Sequence, residues 1–403
     1  MWKLSQKVEN LPSSPSMAIS SQAKKMKAQG VDVIDLSIGE PDFNTPEHII
    51  DAAMAAAKAG ATKYTMPAGM ESLRQAIAQK LKQDNRLDYT VSEITTGVGA
   101  KQLIFNAFMA TLESGDEVVI PTPCWVSYGD IVALHGGTPV YVPCPPEQGF
   151  KLTPEALRQS LTAKTKWLII NSPGNPTGAV YSRAELEALG QVLAAYPDVL
   201  VMSDEIYEHI ILSDATFVSF AEACPELRDR LLIINGVSKS YAMTGWRLGY
   251  AAGPEKLIGG MNKLESQSCT SATSVAQAAA QAALLGDQSC VQEARQVFIR
   301  RLEIIQKALT IVPELTLSSL PAGAFYLFLG CESLIGRVSP EGGVLNSDAA
   351  VAAYLLNAAK VATVPGVAFG MSPYIRLSFA TDPDLVVTAL KNFRVAIDEL
   401  KTS

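Results

Sequence analysis

Short apolar runs separated by helix-like stretches constrain the fold of this chain more than any other feature. Each run is apolar almost throughout and is bounded by Gly, Pro or polar residues. Strands of this kind are typical of a parallel sheet covered on both faces, because a sheet with one solvated face has alternating strands. The sequence therefore predicts an α/β architecture with a mostly parallel central sheet. The runs are residues 117–121, 167–171, 199–203, 231–235 and 248–252.

The two ends of the chain have a different pattern. Residues up to about 17 are polar and proline-rich, which predicts an arm or loop, and residues 18–29 predict a helix that ends at Gly30. After about Gly286, a long polar helical pattern leads to the strand-like GAFYLFLG. A loop at 332–347, a helix, the strand-like YIRLSFA and a final helix follow. Helices with a small sheet at the end of a chain favour a separate α+β domain.

Composition excludes several classes of protein. With 48% hydrophobic residues in 403, the chain can bury a large core, which excludes a disordered chain. The formal net charge of -7 argues against nucleic acid and anionic membranes as general partners. The six cysteines lack metal-ligand spacing, and we expect no metal site. Sparse cysteines, and a sequence without a signal core or a membrane span, predict a cytoplasmic protein.

The residues after each predicted strand are candidates for a binding site, since ligands of parallel α/β sheets bind outside the carboxyl ends of the strands. Gly97-Val98-Gly99-Ala100-Lys101 follows one strand and opens a helix, where backbone N–H groups can bind a phosphate. The segment lacks both the Walker spacing and the dinucleotide fingerprint. Taken alone the signal is weak, because a glycine turn before a helix is more often only a turn.

Two further strand ends carry polar residues with open interpretations. Asn175 lies in the loop 172–178, which two prolines and two glycines make rigid. It is either a ligand-binding side chain or a turn former. Asp204 directly follows the run 199–203, where a carboxylate is either a helix cap or a ligand-binding group.

The run 231–235 is followed by an unusual pair of cations. Lys239 and Arg247 lie among small residues, in a stretch with no other charge. Burial lowers the pKa of a lysine and frees its amine for Schiff-base chemistry. The planar guanidinium of an arginine is suited to a phosphate.

These groups together match the requirements of pyridoxal phosphate. Lys239 offers an amine, and Asp204 offers the carboxylate that keeps a ring nitrogen protonated. Asn175 and Tyr207 can hydrogen-bond a phenolate oxygen. Trp125 follows the run 117–121 and can stack on the ring, although core packing would explain it as well.

The segment 236–249 resembles the pyridoxal-phosphate attachment signature of class I aminotransferases. The resemblance extends from about residue 12 to 398 and is strongest toward bacterial-type aspartate aminotransferases, including aspartate/prephenate aminotransferases. It implies the fold type I of pyridoxal-phosphate-dependent transferases, with residues 1–45 as an arm and part of a small domain, 46–290 as the large domain and 291–403 as the small domain. The supporting motifs are GEPDF (39–43), Tyr64, GAKQ (99–102), PCWVSY (123–128), NSPGNPTG (171–178), SDEIYE (203–208), GAFY (323–326) and YIRLSFA (374–380).

The resemblance implies a role for each group around the cofactor ring. Lys239 would bind the cofactor covalently and then move a proton between the substrate and the cofactor. Asp204 would hold the pyridinium nitrogen, and Asn175 and Tyr207 would bond the phenolic oxygen. Trp125 would stack on the ring.

The resemblance also implies a phosphate site shared between two subunits. Arg247 and the backbone of Gly99, Ala100 and Lys101 would anchor the phosphate. Tyr64 would reach the phosphate of the neighbouring subunit, so a homodimer is expected.

For the substrate, the resemblance implies a site for a dicarboxylic amino acid. Arg376 would bind the α-carboxylate, with help from Asn175 and the backbone of Gly39. Lys101 would hold the distal carboxylate. Ser16 stands where related sequences have a threonine, and it either contacts the substrate or caps a helix.

The expected activity is a ping-pong transfer of the amino group between L-aspartate or L-glutamate and 2-oxoglutarate or oxaloacetate, with prephenate as a further acceptor to consider. The alternatives are an aminotransferase for aromatic or other amino acids and a carbon–sulfur lyase of the same fold. A regulatory protein on this fold is disfavoured, because no basic cluster precedes the first predicted helix.

Overall fold

The computed structural model describes residues 2–9, 11 and 15–401, with the backbone alone for 15–17. Strands and helices alternate through the centre of the chain, as the apolar runs predict. The strands are β1 (Ile34–Asp35), β2 (Ile94–Gly97), β3 (Glu117–Thr122), β4 (Thr138–Pro143), β5 (Thr165–Asn171), β6 (Leu200–Asp204), β7 (Leu231–Gly236), β8 (Gly249–Ala252), β9 (Tyr326–Gly330), β10 (Val361–Ala362), β11 (Val364–Pro365) and β12 (Tyr374–Ser378). The helices are α1 (Gln6–Glu9), α2 (Pro15–Ala28), α3 (Glu47–Lys58), α4 (Glu71–Asn85), α5 (Ala100–Thr111), α6 (Ser127–Leu134), α7 (Pro154–Ser160), α8 (Arg183–Leu193), α9 (Phe220–Ala223), α10 (Glu255–Ser268), α11 (Ser274–Leu285), α12 (Ser289–Ala308), α13 (Asp348–Ala358) and α14 (Pro383–Asp398).

The central sheet has the strand order β2-β8-β7-β6-β5-β3-β4. Strands β7, β6, β5, β3 and β4 pair in parallel, whereas β8 is antiparallel to both of its neighbours. The segment between β7 and β8 contains no α-helix, so the chain turns back without the crossover that a parallel neighbour requires. The prediction of a mostly parallel sheet is confirmed.

Alternate residues of each central strand are buried on opposite faces of this sheet. In β6, Val201 belongs to the apolar cluster on one face and Met202 to the cluster on the other. In β7, Leu232 and Ile233 divide in the same way. Both faces therefore need apolar side chains, which is why the runs in the sequence do not alternate.

The end of the chain forms a small antiparallel sheet of order β11-β12-β9. Phe298 from α12, Phe325 and Leu377 are buried in the apolar cluster that covers it. Near the N-terminus, β1 pairs in parallel with β10, and α2 packs against β10, β11 and α13. These contacts join both ends of the chain. The division at residues 45/46 and 290/291 remains a prediction.

Two expectations for the chain ends were wrong. The arm expected up to residue 17 contains α1, and α2 already begins at Pro15. A proline is well accommodated in the first turn of a helix, since its missing N–H has no partner there. The loop 332–347 is not simply a surface loop, because Leu334 and Leu345 are buried and Val338 pairs with Lys401. These contacts involve distant residues, so the local composition does not reveal them.

Several site types are absent from the residues that the structure describes. None of their helices combines the length and apolarity needed to cross a bilayer. No group of three or more His, Cys, Asp or Glu side chains in this part of the chain is arranged to hold a metal ion. The six cysteines are free thiols, and four of them are buried.

The approach of β8 to the start of α5 leaves no room for a side chain at Gly249. A Cβ there would lie 2.5 Å from the Ala100 nitrogen and 2.7 Å from the Gly99 carbonyl carbon. Backbone atoms cannot rotate away, so Gly249→Ala is expected to lower the free energy of unfolding in urea by about 2 kcal/mol. The matched control is Gly259→Ala in α10, where nothing lies within 4 Å. It is expected to stabilise by about 0.5–1 kcal/mol. Equal stability of Gly249→Ala and the unchanged protein would contradict this packing.

Candidate active site

A cavity of about 490 Å³ opens at the carboxyl edge of the central sheet, beside the small sheet. Asn171 ends β5 and lies opposite Asp204, which ends β6. Lys239 follows β7, and Arg376 reaches the cavity from β12. The topology therefore gathers side chains that are far apart in the sequence. The cavity also contains Gly39, Ala100, Lys101, Trp125, Asn175, Tyr207 and Arg247, all of which the sequence predicts as site residues.

The amine of Lys239 is held inside the cavity by one hydrogen bond. It donates to the carbonyl oxygen of Gly39 at 2.6 Å. Burial lowers the pKa of Lys239 to about 8, and the positive charges of Arg376 and Arg247 act in the same direction. The nearby Glu40 opposes this shift. Near neutral pH, roughly a tenth of this amine is therefore neutral and nucleophilic, far more than for an ordinary lysine.

Asp204 is a buried carboxylate at the end of β6. Its Oδ2 accepts a hydrogen bond from the Tyr128 hydroxyl at 2.5 Å, and its Oδ1 accepts one from the Ile206 N–H at 3.3 Å. Burial raises the pKa of Asp204 to about 6, while these two hydrogen bonds and Lys239 oppose the rise. A protonated ring nitrogen offers the N–H donor and positive charge that this carboxylate lacks. No role was predicted for Tyr128 from the sequence, although the motif PCWVSY contains it.

Arg376 is a buried guanidinium whose hydrogen-bond partners are neutral. It donates to Asn175 Oδ1 at 3.0 Å and to the Ser37 carbonyl at 2.6 Å. Its Nε has no hydrogen-bond partner among the described residues. The rings of Tyr326 and Phe369 lie 4.5 and 5.0 Å from its central carbon. A buried cation with an unused donor is suited to bind a carboxylate.

A second cationic region lies at the start of α5. Gly99 precedes the helix with φ +81°, and a Cβ at this position would lie 2.5 Å from the Arg247 guanidinium. Arg247 itself donates to the Thr244 carbonyl at 2.7 Å. The first N–H groups of a helix are unpaired within it, and they carry the positive end of its dipole. An arginine beside them completes a site for a phosphate.

Lys101 and Trp125 form one wall of the cavity. The Lys101 amine lies 4.7 Å from the centre of the Trp125 ring. Trp125 in turn meets Tyr128 edge to face at 5.3 Å. Burial lowers the pKa of Lys101, and Arg247 lowers it further, whereas Asp130 raises it. A flat ring and a cation at this wall can face an aromatic, anionic ligand.

Tyr207 is buried, and its hydroxyl lies 2.8 Å from the hydroxyl of Tyr326. Sequence reasoning gave Tyr207 a role but left Tyr326 unassigned. The motif GAFY ends in Tyr326, yet the motif alone does not reveal which residue this hydroxyl contacts.

Among the predicted site residues whose side-chain surroundings the structure describes, Gly99 and Tyr64 do not line this cavity, and Gly99 instead lies against Arg247. Tyr64 is 90% exposed and does not line the cavity. The side chain of Ser16 lies outside the described residues. Ser20, one turn further along α2, does line the cavity.

Comparison with known proteins identifies the family. A family model described as aminotransferase class I and II matches residues 31–393. The chain is 46% identical to an aspartate/prephenate aminotransferase of Nitrosomonas europaea, over 96% of this chain and 98% of that one. The chain belongs to the class I and II aminotransferases.

Solved structures of aminotransferases share the fold throughout. The aspartate aminotransferase of Rhizobium meliloti superposes with a TM-score of 0.96 at 43% identity, covering 100% of both chains. The aspartate aminotransferase of Thermus thermophilus solved with maleate gives 0.91 at 39% identity, covering 98% of this chain and 100% of that one. The fold is therefore fold type I, as the sequence resemblance implies.

The cofactor of this aminotransferase is pyridoxal phosphate, as in its family. The groups at the cavity fit that molecule. An amine of lowered pKa and a buried carboxylate face the same space. The Arg247 guanidinium lies so close to Gly99, at the start of α5, that a side chain at position 99 would collide with it. This arrangement offers opposite charge to a phosphate and to a protonated ring nitrogen.

The lowered pKa of Lys239 predicts how its reactivity depends on pH. A trace of acetic anhydride should acetylate Lys239 of the cofactor-free protein at a rate that reaches half of its maximum near pH 8, because only the neutral amine reacts. Mass spectrometry measures the rate, and the exposed Lys164 serves as an internal reference for reagent decay. A half-maximal rate above about pH 10, the usual lysine range, would contradict the assignment.

Proposed function

We propose that this aminotransferase exchanges the amino group between L-aspartate or L-glutamate and oxaloacetate or 2-oxoglutarate by a ping-pong cycle. The observation that carries the proposal is one cavity in which the Lys239 amine lies among Asp204, Arg376 and a second cationic region. Prephenate is a further acceptor, since relatives of 46–47% identity are named for it.

Lys239 and Asp204 are proposed to carry the proton chemistry. When bound, pyridoxal phosphate supplies an electron sink for the electrons released from the substrate Cα–H bond. Lys239 Nζ takes that proton as a neutral amine and then returns it. Asp204 stays ionised beside the ring nitrogen, with Tyr128 fixing one of its oxygens. Asn175 and Tyr207 bond the phenolic oxygen.

Trp125 and the start of α5 are proposed to position the cofactor. The Trp125 ring stacks on it, while Arg247 and the backbone of Gly99, Ala100 and Lys101 hold its phosphate. None of these groups needs to gain or lose a proton. Their contribution is orientation, which sets the Cα–H bond toward the Lys239 amine.

The substrate is proposed to lie between two cations. Arg376 binds the α-carboxylate, beside Asn175 and the Gly39 backbone. Lys101 binds the distal carboxylate, and Ser16 contributes a hydroxyl. The maleate in the T. thermophilus structure is a dicarboxylate of matching size, which supports this arrangement.

A cytoplasmic homodimer with a shared active site is also proposed. Tyr64 is a large, strongly exposed side chain with no place in its own cavity. Its hydroxyl would bind the phosphate in the partner subunit. Free, sparse cysteines agree with a reducing compartment.

A half-reaction panel tests the substrate. The cofactor-loaded enzyme is mixed with single amino acids, and absorbance follows conversion of the lysine-bound cofactor to its amino form. Aspartate and glutamate are expected to react fastest. Lys101→Met should slow both by roughly 10-fold, as expected for a lost hydrogen bond to a charged group, with little effect on alanine. Lys239→Ala is the negative control.

The substrate proposal fails if aspartate and glutamate are inert while aromatic or aliphatic amino acids react. Arogenate belongs in the same panel, because its conversion to prephenate is the reverse of the reaction in which prephenate accepts the amino group. Turnover without any keto acid would instead indicate a carbon–sulfur lyase.

Hybrid dimers test the role of Tyr64. Tyr64→Phe and Lys239→Ala chains with different tags are co-expressed, and the mixed dimer is isolated. If Tyr64 acts in the partner's site, one site of the hybrid is complete, so about half of the normal activity is expected. Each homodimer carries the same defect in both sites and stays low. A hybrid no more active than half of the Tyr64→Phe homodimer would show that Tyr64 serves its own chain or none.

A further inference from the structure

Tyr326 connects three parts of the site but has no role in the scheme above. It opens β9, is buried, and lines the cavity. Its ring lies 4.5 Å from the central carbon of the Arg376 guanidinium. Its hydroxyl lies 2.8 Å from that of Tyr207, which comes from the loop after β6. One side chain therefore links the carboxylate-binding arginine to the tyrosine proposed to hold the phenolic oxygen.

The hydroxyl of Tyr326 also determines the residue at position 39. A Cβ on Gly39 would lie only 2.5 Å from this oxygen. The carbonyl of Gly39 accepts the hydrogen bond of Lys239 at 2.6 Å. The close approach of Tyr326 to this backbone thus helps to fix the carbonyl that positions the lysine amine.

The two tyrosine hydroxyls share a single hydrogen bond. Among the described residues, neither hydroxyl has another protein partner. Each carries one hydrogen, so one hydroxyl donates and the other accepts. If Tyr207 donates its hydrogen to the phenolic oxygen of the cofactor, it can only accept from Tyr326. Tyr326 must then be the donor of the pair.

We propose that Tyr326 is a positioning residue that directs the Tyr207 hydroxyl hydrogen toward the cofactor's phenolic oxygen. This inference rests on the role proposed for Tyr207. A fixed donor stabilises negative charge on that oxygen more than a freely rotating one. Tyr326 therefore favours the form of the lysine-bound cofactor that has lost its proton.

The charged groups around the pair come from several elements. Arg376 on β12 and Asp204 on β6 face Tyr207. Lys239, Glu40 and Arg247 surround the amine end of the cavity. All five remain when a tyrosine is changed to phenylalanine. A difference between such variants therefore reports the hydroxyl.

The test is a spectroscopic pH titration of the lysine-bound cofactor in the full-length holoenzyme. Tyr326→Phe keeps the ring and removes the hydroxyl. It is expected to raise the midpoint of the titration by about 0.5–1 pH unit, because the phenolate loses part of its hydrogen-bond stabilisation. Tyr207→Phe should raise it further. In the double variant, loss of the Tyr326 hydroxyl should add nothing to the effect of Tyr207→Phe.

Two controls separate positioning from general disturbance. Tyr354 is a buried tyrosine whose hydroxyl bonds the Ala396 carbonyl at 2.6 Å, away from the cavity, and Tyr354→Phe should leave the midpoint unchanged. The Kd of maleate, a dicarboxylate, measures anion binding by Arg376. Tyr326→Phe should change this Kd by less than about twofold, while Tyr326→Leu should raise it roughly 3- to 10-fold, as expected for a lost cation–π contact.

The possible failures are distinguishable. An unchanged midpoint in Tyr326→Phe, with a shift in Tyr207→Phe, overturns the inference alone. A Tyr326→Phe shift that persists in the Tyr207→Phe background also overturns it, because Tyr326 would then act independently of Tyr207. An unchanged midpoint in Tyr207→Phe overturns the inference together with the role proposed for Tyr207. Unimpaired transamination by Lys239→Ala would overturn the proposed function itself.

Discussion

The parallel pairing of β5, β6 and β7 is the constraint on which the rest of the site depends. Parallel strands end at a common edge, so the residues that follow them become neighbours whatever their separation in the chain. Asn171 opposite Asp204 fixes this edge, and Lys239 emerges from the next strand. A slip of one residue in any of these strands would turn the functional side chain toward a buried apolar face. The tight packing of both faces therefore also fixes the positions of the functional side chains.

Burial of charge serves two different purposes in this molecule. Burial alone would raise the pKa of Glu208, but Lys80, His209 and Asn85 lower it to about 2, so its charge is balanced by protein groups. Asp204 is equally buried, yet its pKa is raised to about 6, because its hydrogen bonds come from a hydroxyl and a backbone N–H and not from a cation. The first carboxylate is satisfied by the fold. The second has no cation bonded to it among the described residues, which leaves it available to a cationic ligand, as expected of a residue at a functional site.

Sequence patterns located five of the seven central strands to within about two residues, because burial on both faces leaves a signal in the chain itself. They also located Lys239 and Asp204, which directly follow such strands. Tyr128 and Tyr326 escaped assignment since their roles depend on partners 76 and 119 residues away. The predicted start of α2 was wrong because Pro15 and the polar, proline-rich segment around it indicated a loop. Local sequence patterns predict which segments are buried and where turns occur. They do not predict which pairs of distant residues are in contact in the folded chain.

The distribution of cations explains how an acidic chain can select small anions. The net charge of -7 repels polyanions over the whole surface. Inside the cavity, Arg376 and Arg247 both lower the pKa of Lys239, so the amine lies within the field of two guanidinium groups. A ligand relieves this repulsion only if it brings negative charge to both while leaving a reactive carbon near the amine. A phosphate-bearing ring joined to an amino acid meets that condition, and an extended polymer cannot enter a cavity of about 490 Å³. Selectivity thus follows from the burial and placement of a few cations.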